Sequence, residues 1–362
     1  MDNSSATERR GEVNWVPVGL FLALTFGLTW LLDLLLWLTV GYGQNLGAGL
    51  LLQLQMLLPA FCAIALGMLV FKDSPLHQLR VNRERPRWFF YYFLAYTLVY
   101  ACLGIATALA PDMMTPTTVG GLAQGLTLGG LLLLVALRVT SGREAFEQAG
   151  LAGGKTRYWL LFGAGFVSFY VLQTALNYAF RLGQPVDIPQ LMAQLPLGEA
   201  QSMPPITFLA VTAVQAVLLA PFIALMFGFG EEYGWRGYLQ GELIRLGKVR
   251  GILLVGIIWG VWHAPVILMG HNYPGYPLAG VFLMIGYTIG LGFALSYAVL
   301  KSGSVLLAAY LHVLNNQVFS FLVMMVYQPS NPVFSFGAGL YGILLLGLVA
   351  LVILRDPLWR EA

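Results

Sequence analysis

Residues Phe227 to Gln240, FGFGEEYGWRGYLQ, set two adjacent glutamates and an arginine inside an otherwise apolar chain. Apolar residues make up 58% of the sequence and charged residues 10%. An ionisable group at membrane depth costs roughly 2.5–3.5 kcal/mol on insertion scales and marks a functional site by default. The stretch therefore decides how its surroundings are read. The flanking helices must bury it and supply it with polar partners.

Working outward, the apolar runs of about twenty residues place the chain among all-α, polytopic transmembrane helical bundles. The short alternating strands of a barrel are missing from the sequence. About ten spans can be drawn, near residues 15–40, 46–71, 88–110, 122–139, 158–180, 206–229, 251–270, 277–300, 305–326 and 336–354. Basic residues follow the even-numbered spans: Lys72, Arg80, Arg83, Arg85 and Arg87; Arg143, Lys155 and Arg157; Arg245, Lys248 and Arg250; Lys301; Arg355 and Arg360. The odd-numbered loops carry Arg181 alone. By the positive-inside rule both termini are cytoplasmic. Arg9 and Arg10 precede the first apolar run, which is too long for a signal peptide core and lacks a small-residue cleavage site, so it reads as a retained span. The formal charge of +3 implies no nucleic-acid partner. Cys62 and Cys102 lie in apolar spans without CxxC spacing and read as free thiols.

The connection from Arg181 to Pro205 has Ile188, Leu191, Met192 and Leu195 at roughly helical spacing, compatible with a short surface helix. It also divides the chain into a membrane half of about five spans (1–204), a core carrying the polar cluster (205–327), and a final span with a cytoplasmic C-terminus (328–362). Asp33, alone in the first span, reads as a buried hydrogen-bonding residue. Gln53, Gln55, Gln173 and Asn177 read as interhelical bonds. His77 and His271 read as surface or interfacial residues.

Counting depth at about 1.5 Å per residue puts His263 roughly 18 Å into the seventh span, and His312 and Asn316 roughly 14 and 20 Å into the ninth. Glu231 reaches the same level only if the sixth helix continues past Phe229 to about Leu246. Trp259 and His263 are four apart, as are His312 and Asn316, so each pair shares a helix face. Glu232 and Arg236 share this spacing and can pair, which leaves Glu231 free for another task. Glu231 with His263 could hold and deprotonate a water, while His312 and Asn316 could stabilise an oxyanion. These are the parts of an amide hydrolase that uses water directly. Glu231, His263 and His312 could instead bind zinc, but without HExxH or a cysteine set no cofactor is expected and zinc is not required.

These motifs resemble the CPBP family, which includes CAAX prenyl endopeptidases of the Ras-converting type and bacterial relatives linked to bacteriocin processing and self-immunity. The first motif reads Glu231, Glu232, Tyr233, Gly234, Trp235, Arg236. The second reads Trp259 to His263, with tryptophan where phenylalanine is usual. The third reads His312 to Asn316. The resemblance covers roughly residues 218–319 and implies a glutamate-dependent intramembrane protease. In it Glu231 activates water with His263, His312 and Asn316 stabilise the oxyanion, and Glu232, Arg236 and Trp259 support the site. The expected substrate is the C-terminus of a peptide or lipidated protein, presented in a cavity open to the cytoplasmic side, for CAAX-type processing or for peptide and bacteriocin maturation. The expected location is the bilayer of a bacterial cytoplasmic membrane, or the endoplasmic reticulum in a eukaryote. The alternatives are a non-proteolytic immunity or binding scaffold, and an ion or proton transporter, which fits less well because the polar residues gather at one depth.

Overall fold

The computed structural model describes residues 12–43, 45–195, 198, 202–334 and 337–360; Arg9 and Arg10 lie outside them. The chain is a helical bundle. Its first half comprises α1 (Trp15–Leu38), α2 (Leu46–Ala65), α3 (Pro75–Val81), α4 (Arg87–Leu109), α5 (Pro116–Thr140), α6 (Arg143–Gln148) and α7 (Thr156–Ala179). Next come α8 (Ile188–Gln194), α9 (Pro205–Val214), α10 (Ala220–Ile223), α11 (Leu225–Glu232) and α12 (Gln240–Leu243). The last five are α13 (Lys248–Trp262), α14 (Ala264–Leu268), α15 (Pro277–Ser302), α16 (Val305–Met325) and α17 (Leu340–Ile353). Two three-residue strands, β1 (Gly183–Pro185) and β2 (Tyr327–Pro329), pair antiparallel.

Among the described residues eight helices are long and apolar enough to cross a membrane. Two expected spans fall short. The seventh is divided into α13 and α14 at His263, and the tenth is the fourteen-residue α17. Pro265, at the first turn of α14, has no N–H to continue the ladder of α13. The short helix expected in the 181–205 connection is α8, capped by Asp187 through Gln190 N–H at 3.0 Å. Large side chains such as Leu31, Leu132, Phe282 and Leu344 stay exposed, the pattern of a surface that meets lipid.

The loops sort onto two faces, and the contacts show which loops go together. Arg85 donates to the Thr140 carbonyl at 2.6 Å, Lys301 pairs with Asp356 at 2.6 Å, and Lys248 donates to the Leu358 carbonyl at 2.9 Å. Gly154 packs against Ser302, where a Cβ would lie 3.0 Å from the carbonyl oxygen. These join the basic loops into one face. At the other end Tyr42 meets His271 at 3.0 Å, Ser330 N–H donates to the Leu182 carbonyl, and β1 pairs with β2. Arg181 is the only Lys or Arg in those connections.

Two large cores run through the bundle. One gathers Leu54, Phe89, Phe93, Phe229, Tyr233 and Ala309, so it draws on helices from both sides of the 204/205 boundary. Phe229 meets Phe89 and Phe93 edge-on with centroids 5.2 Å away in both cases, contacts worth about 0.5–1.5 kcal/mol each beyond burial. The other contains Phe21, Trp235, Trp259, Leu295, Leu307 and Leu311 and surrounds the glutamate pair.

Candidate active site

The segment carrying the glutamates remains helical past Phe229. The backbone breaks at Ala224, close after Pro221, and resumes as α11; a π-helical stretch, Tyr233–Leu239, then leads through α12 and a last tight turn to Leu246. Small residues let this segment approach its neighbours closely. A Cβ on Gly228 would lie 2.3 Å from the Ala309 carbonyl of α16, and one on Gly230 2.4 Å from the Met56 carbonyl of α2. Backbone approach of this kind is the membrane use of glycine. It brings the pair against α16 and buries both carboxylates, Glu231 to 3% exposure and Glu232 to 0%.

Glu232 Oε1 accepts from Arg236 Nη1 at 3.2 Å and from His312 Nδ1 at 2.7 Å. Glu231 accepts the indole N–H of Trp259 on Oε2 at 2.7 Å, while its Oε1 stands 3.9 Å from His312 Nε2. The expected Glu232–Arg236 pair is present, and Arg236 also lies 4.3 Å from the Trp259 ring centroid, a stacking that favours a desolvated guanidinium. Trp259 therefore does more than pack: its N–H fixes one oxygen of Glu231, a bond that phenylalanine cannot make.

His263 Nδ1 lies 2.8 Å from the Trp259 carbonyl. A carbonyl only accepts, so Nδ1 carries the proton and a neutral ring keeps Nε2 as its acceptor. The same logic makes Nδ1 of His312 the donor to Glu232 and leaves Nε2 on the Glu231 side. Nearest the glutamates is thus His312 rather than His263. Glu231, His263, His312 and Asn316 all line one cavity of about 310 Å³, together with Trp259. The four expected residues converge, and Glu232 and Arg236 stand behind them.

Residues 213–318 match the family of type II CAAX prenyl endopeptidases, Rce1-like. All seven site residues fall inside that match. Over this segment the chain is similar to that family. A CAAX prenyl protease 2 of Methanococcus maripaludis is 30% identical over 102 residues, 26% of this chain and 37% of that protein. The chain therefore spans about 37% of the length of the curated relative it matches. No solved structure matches it.

Around this segment the structure adds residues that spacing did not reveal. Asn315 donates to Asn316 Oδ1 at 3.0 Å and to the Tyr287 hydroxyl at 2.8 Å, and it accepts from the Tyr170 hydroxyl at 2.6 Å. With Oδ1 so engaged, the Asn316 amide N–H groups are left for the cavity. The doubled asparagine in the ninth span was the available signal. Tyr170 and Tyr287 are distant in sequence, so only packing unites them. Gln55 also lines the cavity and donates to Asp33 Oδ1 at 2.7 Å, giving Asp33 the structural partner expected of it. Gln53 accepts from Tyr100. The first half of the chain thus supplies one wall of the site.

The cavity does not face the basic loops. Its lining runs from Glu231 and Leu291 outward to His271, Asn272 and Ala338, in connections on the opposite face. The reason lies in helix direction: α13 and α16 rise from the basic face, so His263 and Asn316 lie beyond their midpoints, toward the other end. His271, expected as an ordinary interfacial residue, stands at this mouth, where burial pushes its imidazole down to about 4.

Among the described residues no three His, Cys, Asp or Glu side chains are gathered to hold an ion.

Proposed function

We propose that the chain is an intramembrane endopeptidase in which Glu231 is the general base for a water attacking a peptide carbonyl. The observation that carries this is the buried Glu231 carboxylate on the cavity wall, with Oε2 tied to Trp259 and Oε1 3.9 Å from His312 Nε2. That last distance exceeds a direct hydrogen bond and suits a bridging water. Glu231 takes one proton from this water while Nε2 of His263 accepts the other O–H and orients it. The hydroxyl oxygen bonds to the carbonyl carbon and the carbonyl electrons move onto oxygen. His312 Nε2–H and the Asn316 amide donate to that oxyanion. Collapse breaks the C–N bond, and the proton held by Glu231 passes to the leaving amine.

In this mechanism Glu231 and Glu232 are the two anions and Arg236 with a protonated His312 the two cations, so the buried cluster is neutral as a whole. Buried charges persist only when paired in this way. Arg236 and Glu232 act as positioning residues for His312. The mechanism calls on no resident metal: a chelator is expected to leave cleavage unchanged, and loss of activity restored by one added ion would overturn that part.

The substrate is a membrane-associated peptide, cut as in CAAX-type C-terminal processing or in peptide and bacteriocin maturation; the curated relative's name supports the former. The test is cleavage of prenylated and unprenylated peptides by purified protein beside Glu231→Gln and His263→Ala. Both variants are expected to lose turnover while keeping the fold. Cleavage by both at the rate of the unmodified protein would sink the mechanism.

A further inference from the structure

The loops of the basic face enclose a separate cavity of about 600 Å³, lined by Arg138, Arg143, Glu147 and Lys155 together with Gly154 and Ser302. Four span ends meet around it: α5 stops at Thr140, α7 starts at Thr156, α15 stops at Ser302 and α16 starts at Val305. A pocket framed by span ends lies at the depth of the lipid headgroups. Its charge is one-sided. Glu147 is the single acid in the lining and is taken up by Arg143 at 2.6 Å. Arg138 lies over the Phe146 ring, 5.8 Å from its centroid. Among the described residues neither Arg138 nor Lys155 has a carboxylate within ion-pair distance. Beside Lys155 the 24-residue α7 begins with no side-chain cap and no acid in its first turn, so its leading N–H groups add to the positive field. Unpaired cations beside an uncapped helix start suit a phosphate oxyanion.

The wall of this pocket is tied to the glutamate segment. The Tyr233 hydroxyl, one residue beyond Glu232, donates to the Ala149 carbonyl at 2.9 Å, and a Cβ on Gly150 would lie 3.4 Å from the Tyr233 ring. At the far end of the same loop Gly154 rests on Ser302 and Ser304. Ser304 in turn caps α16, the helix of His312 and Asn316, by accepting from Leu307 N–H at 3.0 Å.

We propose that the pocket binds the phosphate of an anionic phospholipid from the leaflet at the basic face, and that the bound headgroup braces the 149–155 loop against Tyr233 and Ser304. Basic pockets between span ends hold such headgroups by charge. Purified full-length protein is given equal amounts of phosphatidylglycerol and phosphatidylcholine, and the lipid it retains is identified by native mass spectrometry. The unmodified protein is expected to retain phosphatidylglycerol in preference. A cation near the membrane surface is worth about fivefold in affinity for an anionic lipid, so Arg138→Gln with Lys155→Gln should weaken the preference roughly thirtyfold. Arg250→Gln with Arg360→Gln removes the same charge from the basic face outside the pocket and is expected to keep it. Equal retention of the two lipids by the unmodified protein, or equal losses in the two double variants, overturns the site. Displacement of the lipid by inorganic phosphate assigns the pocket to a soluble phosphate ligand and overturns the lipid. Bound phosphatidylglycerol is also expected to slow hydrogen exchange at the amides of residues 149–155, and unchanged exchange overturns the bracing. Neither readout uses turnover, so the lipid site stands or falls apart from the peptidase reading.

Discussion

Replacing each of the two neighbouring glutamates by glutamine should give opposite phenotypes, because their surroundings differ. Glu231→Gln keeps an amide oxygen to accept the Trp259 N–H and removes no partner of Arg236. It removes the base and the more distant of the two carboxylates beside His312, 3.9 Å away against 2.7 Å for Glu232, so its cost in stability is the smaller one; positioned general bases contribute about 10²–10⁴-fold, or about 2.7–5.5 kcal/mol of barrier. Glu232→Gln withdraws the carboxylate that serves both Arg236 and His312, whose side chains are 0% and 5% exposed. Breaking a buried pair by removing one partner costs about 3–5 kcal/mol, because the other charge stays buried and uncompensated. At about 2.1 cal/mol/K of unfolding entropy per residue over this chain, that is a fall in Tm of about 4–7 °C. The assay is thermal unfolding of purified protein by intrinsic tryptophan fluorescence, beside turnover of a quenched fluorescent peptide. Glu231→Gln is expected to be stable and nearly inactive, Glu232→Gln destabilised as well as impaired. Equal Tm losses in the two variants, or an unshifted Tm in Glu232→Gln, would refute the division of roles.

Trp259→Phe deletes a hydrogen bond to a charged group, worth about 1.5–3 kcal/mol, and should lower kcat about 10–150-fold while the aromatic packing survives; an unchanged kcat would show that the indole N–H does not position Glu231. Asn315→Asp puts an acceptor against Asn316 Oδ1 and should reduce kcat with little change in KM, whereas a rise in KM alone would mark Asn315 as part of the binding wall. Gly228→Ala sets a methyl 2.3 Å from the Ala309 carbonyl, so α11 must part from α16; stability should fall by about 1–3 kcal/mol or more, read as a lower Tm, with activity falling alongside. The folded His271 titrates at about 4 against 6.5 for the free side chain, so the unfolded chain binds its proton first as pH falls. Stability present above pH 6.5 is therefore lost progressively down to about pH 4, and His271→Gln should flatten the Tm–pH curve in that window.

The helical class, the two-sided distribution of charge and the seven candidate residues that the fold gathers were legible along the chain, because hydropathy, loop charge and i, i+4 spacing are local properties. Burial of the glutamates was legible as a requirement: without a helix to Leu246 the motif could not reach His312. The partners within the cluster were not legible. Equal depth brings Glu231, His263 and His312 to one level but leaves rotation about each axis undetermined, and packing is what sets His312 nearer to Glu231 than His263. The rotation is set by contacts such as Gly228 on α16 and Gly230 on α2, which are long-range. The role of Trp259 as a donor and the Asn315–Tyr287–Tyr170 network likewise depend on several helices at once. The sequence by itself determined which residues must be buried together and at what depth, because the bilayer penalises every unpaired polar group. Only the tertiary structure decided which atoms of those residues meet, because that depends on how each helix is turned.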